Sequence, residues 1–92
     1  MAVVVTVEIP GGSPELEQAM LQELGVLTSP PTGLHFRAGG PIPGGWRVIT
    51  GWESPERFQS FQREKLQPAF DKLGVRPSRI EMWPVGPIQV NS

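Results

Sequence analysis

The chain has 92 residues, a mass of 10.1 kDa and a formal net charge of −1, which predicts one domain without a general attraction to nucleic acid or anionic membranes. It contains no cysteine and one histidine, so disulfides are excluded and a protein-held zinc or iron site is disfavoured. The longest apolar run covers only residues 2–5 and no basic segment precedes it, so we expect neither a membrane span nor a signal peptide, and a cytoplasmic location.

The chain begins with a predicted strand followed by a predicted helix. Residues 1–9 alternate, and three consecutive valines indicate burial on both faces, as in a central strand. Ser13 and Pro14 predict the start of the helix, because serine caps a free N–H and proline fits the first turn. Gly25 predicts its end. The helix carries an apolar stripe of Leu16, Ala19, Met20 and Leu24, and its acidic residues, including Glu15 and Glu17, predict a solvated face.

Two further strands follow, joined by a glycine-rich segment. Residues 33–38 form the second predicted strand, with His35 and Arg37 on one face. The sequence GGPIPGG at 39–45 predicts a turn rather than regular strand. Residues 46–53 form the third predicted strand, so a hairpin is expected. One face of that strand carries Trp46, Val48, Thr50 and Trp52, and the other carries Arg47, Ile49, Gly51 and Glu53.

A second Ser-Pro-Glu sequence at 54–56 predicts the second helix. Pro68 is expected to kink or split this helix, because proline lacks an N–H and clashes with the preceding turn. Gly74 predicts its end, and residues 79–85 form the fourth predicted strand. Ile88 and Val90 in the tail predict docking on a partner.

The predicted order is strand, helix, strand, strand, helix, strand. This order indicates an α+β, ferredoxin-like fold over residues 1–92: an antiparallel four-stranded sheet with both helices on one face. A chain this short has nothing to cover the other face, where strands one to three carry apolar or aromatic residues. An uncovered apolar face predicts a partner, most simply a two-fold homodimer that closes through its sheets.

The middle of the chain resembles the dimeric α+β barrel superfamily, in particular its small antibiotic-biosynthesis monooxygenase-like members. The resemblance covers residues 3–88, and its most specific part joins Gly-Gly-Trp-Arg-Val at 44–48 to Trp-Glu-Ser at 52–54. The other matching segments are HFRAGGP at 35–41, Phe58, Phe61, Leu66, Pro68 and WPV at 83–85.

The resemblance implies a dimeric barrel and one of several activities. The superfamily includes cofactor-free oxygenases acting on polycyclic phenols, polyketide cyclases, lactone isomerases and haem-degrading or haem-dependent enzymes. We therefore expect a small enzyme without a cofactor, a monooxygenase or cyclase of natural-product metabolism, acting on a planar, polyketide-like substrate. The alternative is a non-catalytic ligand-binding or structural homodimer. Haem held by His35 is a weaker alternative, because a lone histidine would need an open distal pocket.

His35 and Arg37 are the predicted catalytic residues. Of the protein side chains, histidine has the ordinary pKa closest to neutral pH. His35 would therefore act as the base on a phenol, and Arg37 would hold the resulting anion. Many members of the superfamily carry histidine at the position of Arg37, so a histidine mechanism would need a changed role for one of the two. The alternative is a histidine at the strand edge with no catalytic task.

Charged and aromatic strand residues complete the predicted site. Arg37 and Arg47 are expected to be neighbours across the hairpin, which calls for an acid or an anionic ligand; a structural ion-pair network would also explain them. The acids available on strands are Glu8, Glu53 and Glu81. Tryptophan can clamp a planar ligand and orient it through its N–H, although packing would equally explain these residues, above all Trp52 next to the helix cap. The predicted substrate-binding residues are Trp46, Trp52, Trp83 and Phe36.

Overall fold

Four strands and two helical segments follow one another in the predicted order. The structure is a computed structural model that describes residues 1–26 and 28–89. The strands are β1 (Val3–Pro10), β2 (Leu34–Ile42), β3 (Gly45–Trp52) and β4 (Arg79–Pro84). The helices are α1 (Pro14–Leu24), α2 (Pro55–Phe61) and α3 (Gln67–Leu73), with a π-helical turn at Gln62–Leu66 between the last two. Among the described residues, no helix is both long and apolar enough to cross a bilayer.

The strands form one antiparallel sheet in the order β2-β3-β1-β4, which confirms the ferredoxin-like fold and the central place of β1. Val5 lies opposite Thr50 of β3 and Met82 of β4, whereas Thr6 lies opposite Ile49 and Glu81. The side of the sheet that contains Val5 packs against the helices and is called the helix-facing side; the other is the outer face. The buried core on the helix-facing side comprises Val3, Val5, Val7, Ile9, Met20, Trp52, Phe58, Leu66, Ala69, Phe70 and Val75.

The helix starts confirm the two Ser-Pro-Glu predictions. The Ser13 hydroxyl accepts a hydrogen bond of 3.1 Å from the Leu16 N–H, and the Ser54 hydroxyl accepts one of 3.3 Å from the Arg57 N–H. Each cap provides an acceptor for a backbone donor that has no partner within the helix. Gly25 ends α1 with a φ of +67°, a left-handed conformation that glycine adopts without steric cost. The sequence signals thus mark both ends of α1 and the start of α2.

The glycine-rich segment corrects one prediction. Residues 39–42 are not a turn but the second half of β2, and Gly39 pairs with Val48 of β3. Pro41 is tolerated because β2 is an edge strand, where a missing N–H leaves no second neighbour unpaired. The chain reverses only at Pro43 and Gly44, where a φ of +78° suits glycine.

Pro68 splits the second helical segment, as predicted. The π-helical turn Gln62–Leu66 separates α2 from α3, and Pro68 occupies the first turn of α3. A wider turn before the proline relieves the clash of its ring with the preceding carbonyl. In the tail, Ile88 lies beside Gly51 on the outer face of its own sheet; Val90 lies outside the described residues.

Candidate functional site

A narrow slot of about 50 Å³ lies between the helix-facing side of the sheet and the helices. It extends along β3 from Trp46 to Trp52, a length of about 20 Å for six strand residues. Pockets that enclose drug-sized ligands measure roughly 300–1,000 Å³, so a polycyclic ligand requires lining side chains to move apart. The lining is largely apolar: Val7, Ile9, Leu16, Met20, Leu24, Val26, Pro31, Leu34, Val48, Phe58, Phe61, Leu66 and Phe70.

An ion pair lines one end of the slot. Arg37 Nη1 of β2 lies 2.6 Å from Glu17 Oε1 of α1, and the two side chains are only 20% and 15% exposed. Apart from this ion pair, Oε1 has no hydrogen-bond donor among the described residues. Gly39, two residues after Arg37 in β2, leaves space for this carboxylate. The pair therefore presents a buried acceptor to a slot that is otherwise apolar.

Trp46 supplies a buried donor at the same end. Its Nε1 is buried and has no hydrogen-bond acceptor among the described residues. Trp46 lies opposite Pro41, and it is the diagonal neighbour of Gly39, which pairs with Val48. Such diagonal positions are roughly 7–8 Å apart. The slot therefore has one polar end, formed by Glu17, Arg37 and Trp46.

Trp52 forms the opposite, apolar end. Its side chain is 1% exposed, and its N–H donates a 2.8 Å hydrogen bond to the Thr50 hydroxyl. Its ring meets Phe58 edge-on at 5.6 Å and lies 5.2 Å from Phe61. With its N–H already bonded, Trp52 offers a ligand an apolar wall but no donor.

A surface hollow adjoins the slot beside this apolar end. Pro31 and Phe61 line both the slot and an open surface hollow of about 480 Å³. Arg57, Glu64 and Lys65 also line that hollow, which is more polar than the slot. Pro31 and Phe61 therefore separate the hollow from the slot, and a ligand that entered from this side would reach Glu17 and Trp46 with its leading edge.

His35 and Arg37 do not converge in one cavity, which corrects the sequence prediction. The register of β2 against β3 shifts between Leu34 and Phe36, so Leu34 and Arg37 both lie on the helix-facing side. His35 sits at this irregularity, is exposed and does not line the slot. A β-bulge of this kind breaks the alternation on which the prediction rested. Its role as a base stays a prediction.

Arg37 and Arg47 are not neighbours either. Arg47 lies on the outer face, where it bonds Glu8 at 3.1 Å, while Arg37 lies on the helix-facing side. The other two acids also contact arginine: Glu53, which directly follows β3, lies 3.4 Å from Arg57, and Glu81 of β4 lies 2.8 Å from Arg79. Structural ion pairs therefore account for Glu8, Glu53 and Glu81.

The six predicted site residues divide between the two sides of the sheet. Arg37, Trp46 and Trp52 line the slot. Phe36 lies over Gly51 on the outer face, and Trp83 lies opposite Val4 on the same face, where it is 44% exposed. The structure does not bring Phe36 and Trp83 to the slot, and their contact with a substrate stays a prediction.

Glu17 is the slot residue that the sequence analysis missed, because it was assigned to a solvated face. A signal for it exists in the sequence. Glu17 precedes Met20 by three residues and Leu24 by seven, which is the spacing of one helix face. An acid within an apolar stripe needs a buried partner, and Arg37 provides it.

The donor groups of the slot do not suit a histidine-ligated haem. The one histidine, His35, is exposed on the edge strand and does not line the slot. Within residues 1–26 and 28–89, no three His, Cys, Asp or Glu side chains are grouped so that they could hold a metal ion. The side chains that line the slot therefore provide no histidine ligand for a haem iron.

Comparisons with protein families and with curated proteins find no match to this chain. Solved structures do match. An antibiotic-biosynthesis monooxygenase-type protein from Chloroflexus aurantiacus is 15% identical, with a TM-score of 0.66, and the match covers 99% of this chain and 100% of the other. SnoaB, a cofactor-independent oxygenase from Streptomyces nogalater, is 12% identical with a TM-score of 0.66, over 95% and 94% of the two chains.

The haem degrader MhuD from Mycobacterium tuberculosis is 23% identical with a TM-score of 0.57, over 99% of this chain and 100% of its own. The chain has the fold of antibiotic-biosynthesis monooxygenases. Proteins with this fold thus include both a cofactor-independent oxygenase and a haem degrader. Since the identities are low, the likeness establishes the fold and not the activity.

Proposed function

We propose that this protein is a small monooxygenase that works without a cofactor on a planar, apolar substrate. The observation that carries the proposal is the slot itself: aromatic walls at Trp46 and Trp52, and one polar end where Arg37 meets Glu17. A structure of the same fold, SnoaB, is described as a cofactor-independent oxygenase. The apolar lining favours an aromatic ring system, and natural-product metabolism in the cytoplasm is the proposed setting.

The proposed reaction needs only molecular oxygen as oxidant. In the keto form of a polycyclic phenol, a ring CH₂ group loses one proton to a base, and the resulting enolate donates one electron to oxygen. Superoxide then combines with the carbon radical at that CH position, the peroxide takes a proton back from the base, and the hydroperoxide eliminates water with the remaining C–H hydrogen. One oxygen atom remains on carbon as a new carbonyl, and the other leaves as water with the two hydrogens of the CH₂ group.

Arg37 has the first role in this scheme. Its guanidinium lies in a slot with little water, where a positive charge stabilises a substrate anion more strongly than in solvent. His35 remains the proposed base only for a substrate whose hydroxyl reaches the edge of β2. Trp46 and Trp52 would pack against the ring plane of the substrate. A cyclase acting on a similar substrate would use the two tryptophans in the same way.

A binding protein without activity is the second candidate, and the small slot favours it. A volume of about 50 Å³ holds a few water molecules but no ring system unless the side chains move. A binder would show saturable ligand uptake with no turnover in air. Oxygen consumption distinguishes the two candidates.

We also propose that the chain forms a homodimer through its outer face. Ile49 and Thr6 lie opposite each other there, Phe36 covers Gly51, and Trp83 is exposed at the edge. A second copy would cover these apolar groups and leave the slot of each chain open to its own hollow. Sedimentation of the purified protein tests the proposal.

The test of the enzymatic proposal is oxygen uptake in the presence of 1,8-dihydroxyanthrone and a chelator. We expect a saturable rate above the spontaneous oxidation and one quinone formed for each oxygen consumed. The rate should fall in Arg37→Met and not in Arg79→Met, which removes an exposed arginine from β4. A rate equal to that of buffer for the unmodified protein would contradict the proposal.

A further inference from the structure

We infer that the polar end of the slot recognises a hydroxyl and a carbonyl carried on the leading edge of a planar ligand, the hydroxyl bonding Glu17 and the carbonyl bonding Trp46. The inference rests on the proposed binding of a planar ligand in the slot and adds the polar groups that this ligand must carry. It assigns to Glu17 and Trp46 a specificity-determining role that is separate from the action of Arg37 on an anion.

Trp46 Nε1 and Glu17 Oε1 have opposite hydrogen-bonding character. An indole N–H only donates, and a carboxylate only accepts. Trp46 Nε1 is buried and has no hydrogen-bond partner among the described residues, whereas buried polar atoms in folded proteins nearly always have one. Glu17 Oε1 is also buried and contacts Arg37, but a carboxylate oxygen accepts more than one hydrogen bond, and no second donor to it lies among the described residues. A ligand that satisfies both atoms must therefore offer an acceptor to Trp46 and a donor to Glu17.

The positions of the two residues suit one ligand edge. The Glu17 carboxylate lies over Gly39, and Trp46 is the diagonal neighbour of Gly39 across the β2–β3 pair. The strand positions of Gly39 and Trp46 are therefore roughly 7–8 Å apart, which is comparable to the width of a fused-ring edge. This proximity allows one rigid ring edge to face both polar groups.

The surroundings decide the class of the ligand. Arg37 balances the charge of Glu17, so the site requires no further cation, and the other lining groups are mostly apolar. An uncharged hydroxyl donates a hydrogen bond to the carboxylate, whereas a phenolate cannot, so the ligand binds in its neutral form and becomes an anion only in the subsequent reaction. The ligand class is a neutral phenol or enol that also carries a ring carbonyl, on an otherwise apolar planar skeleton.

The experiment compares three ligands by equilibrium dialysis at mildly acidic pH, where the phenol keeps its proton. The probes are 2-hydroxyanthraquinone, anthraquinone, which lacks the donor, and 2-hydroxyanthracene, which lacks the acceptor. We expect the unmodified protein to bind the first roughly tenfold or more tightly than either of the others, since each missing group leaves a buried atom unpaired.

Two variants assign the preference to its residues. Trp46→Phe should abolish the preference for the carbonyl, and Glu17→Leu should abolish the preference for the hydroxyl. The matched control is Glu15→Leu, an exposed acid in the same helical turn as Glu17. It should bind like the unmodified protein, and a thermal melt of each variant verifies folding.

The outcomes separate this inference from the proposed function. Equal binding of all three probes to the unmodified protein would overturn the recognition of the two polar groups while the slot stands as a planar-ligand site. No binding of any probe would overturn the slot as a ligand site and the inference with it. The comparison of probes on the unmodified protein decides the inference even where a variant fails to fold.

Discussion

Gly39 of β2 lies directly beneath the carboxylate of Glu17 in α1. A methyl group at position 39 would come within 2.8 Å of Glu17 Cδ, closer than such atoms approach in proteins. The backbone of Gly39 has no left-handed φ, so the glycine is needed for space rather than for its conformation. The absence of a side chain at one strand position thus lets an acid of the helix reach Arg37.

The substitution Gly39→Ala tests this relationship. We expect a loss of about 1–3 kcal/mol in the free energy of unfolding, because overpacking displaces the carboxylate from Arg37. Gly40→Ala is the matched control, since a methyl group there meets nothing within 4 Å, and it should change stability by less than about 0.5 kcal/mol. Urea denaturation measures both, and equal stability of the two variants would contradict the account.

The Arg37–Glu17 pair should show energetic coupling. In a double-mutant cycle of Glu17→Gln and Arg37→Gln, we expect a coupling energy of about 0.5–3 kcal/mol, because both side chains are mostly buried. The control cycle uses Glu53 and Arg57, which are 58% and 52% exposed at a distance of 3.4 Å, and should give about 0.3–0.5 kcal/mol. Coupling in the first cycle no larger than in the control would show that the pair adds nothing to the fold.

Phe61 should control the rate of ligand entry, because it lines both the slot and the outer hollow. Phe61→Leu removes part of the wall between them, so we expect the association rate of a planar ligand to rise several-fold in stopped-flow fluorescence. Phe58→Leu is the control: Phe58 also touches Trp52 and lines the slot, but it does not line the hollow. A similar change in both variants would place the entrance elsewhere.

The outer face should hold the dimer. Ile49→Asp places a charge opposite Thr6 in the middle of that face, and the desolvation of a carboxylate disfavours its burial against a second copy. We expect the unmodified protein to sediment at twice 10.1 kDa and the variant at 10.1 kDa. Gln22→Asp, an exposed position on α1, should remain dimeric. A monomeric unmodified protein would refute the dimer.

Much of the fold follows from local sequence signals. Ser13-Pro14 and Ser54-Pro55 mark helix starts because capping depends on neighbouring residues alone. Pro68 acts locally in the same way. The length of β2 does not follow, because glycine and proline at 39–42 favour a turn until β3 provides backbone partners. Tertiary pairing here overrides local preference.

The site was harder to predict than the fold. Trp46 and Trp52 were found because strand alternation places them on one face, and Arg37 was found as a charge in a strand. His35 was placed wrongly relative to Arg37 because one register shift moves every later side chain to the other face. Glu17 was missed because its partner is 20 residues away in the chain, and only the folded sheet brings Arg37 to it.

The most direct test of the account is ligand binding in the slot, followed by the crystal structure of the protein soaked with 2-hydroxyanthraquinone. We predict electron density for the ring between the sheet and α1, with Phe61 displaced, the carbonyl oxygen within hydrogen-bond distance of Trp46 Nε1 and the hydroxyl within that distance of Glu17. Density for the ligand only on the outer face, beside Phe36 and Trp83, would contradict the account.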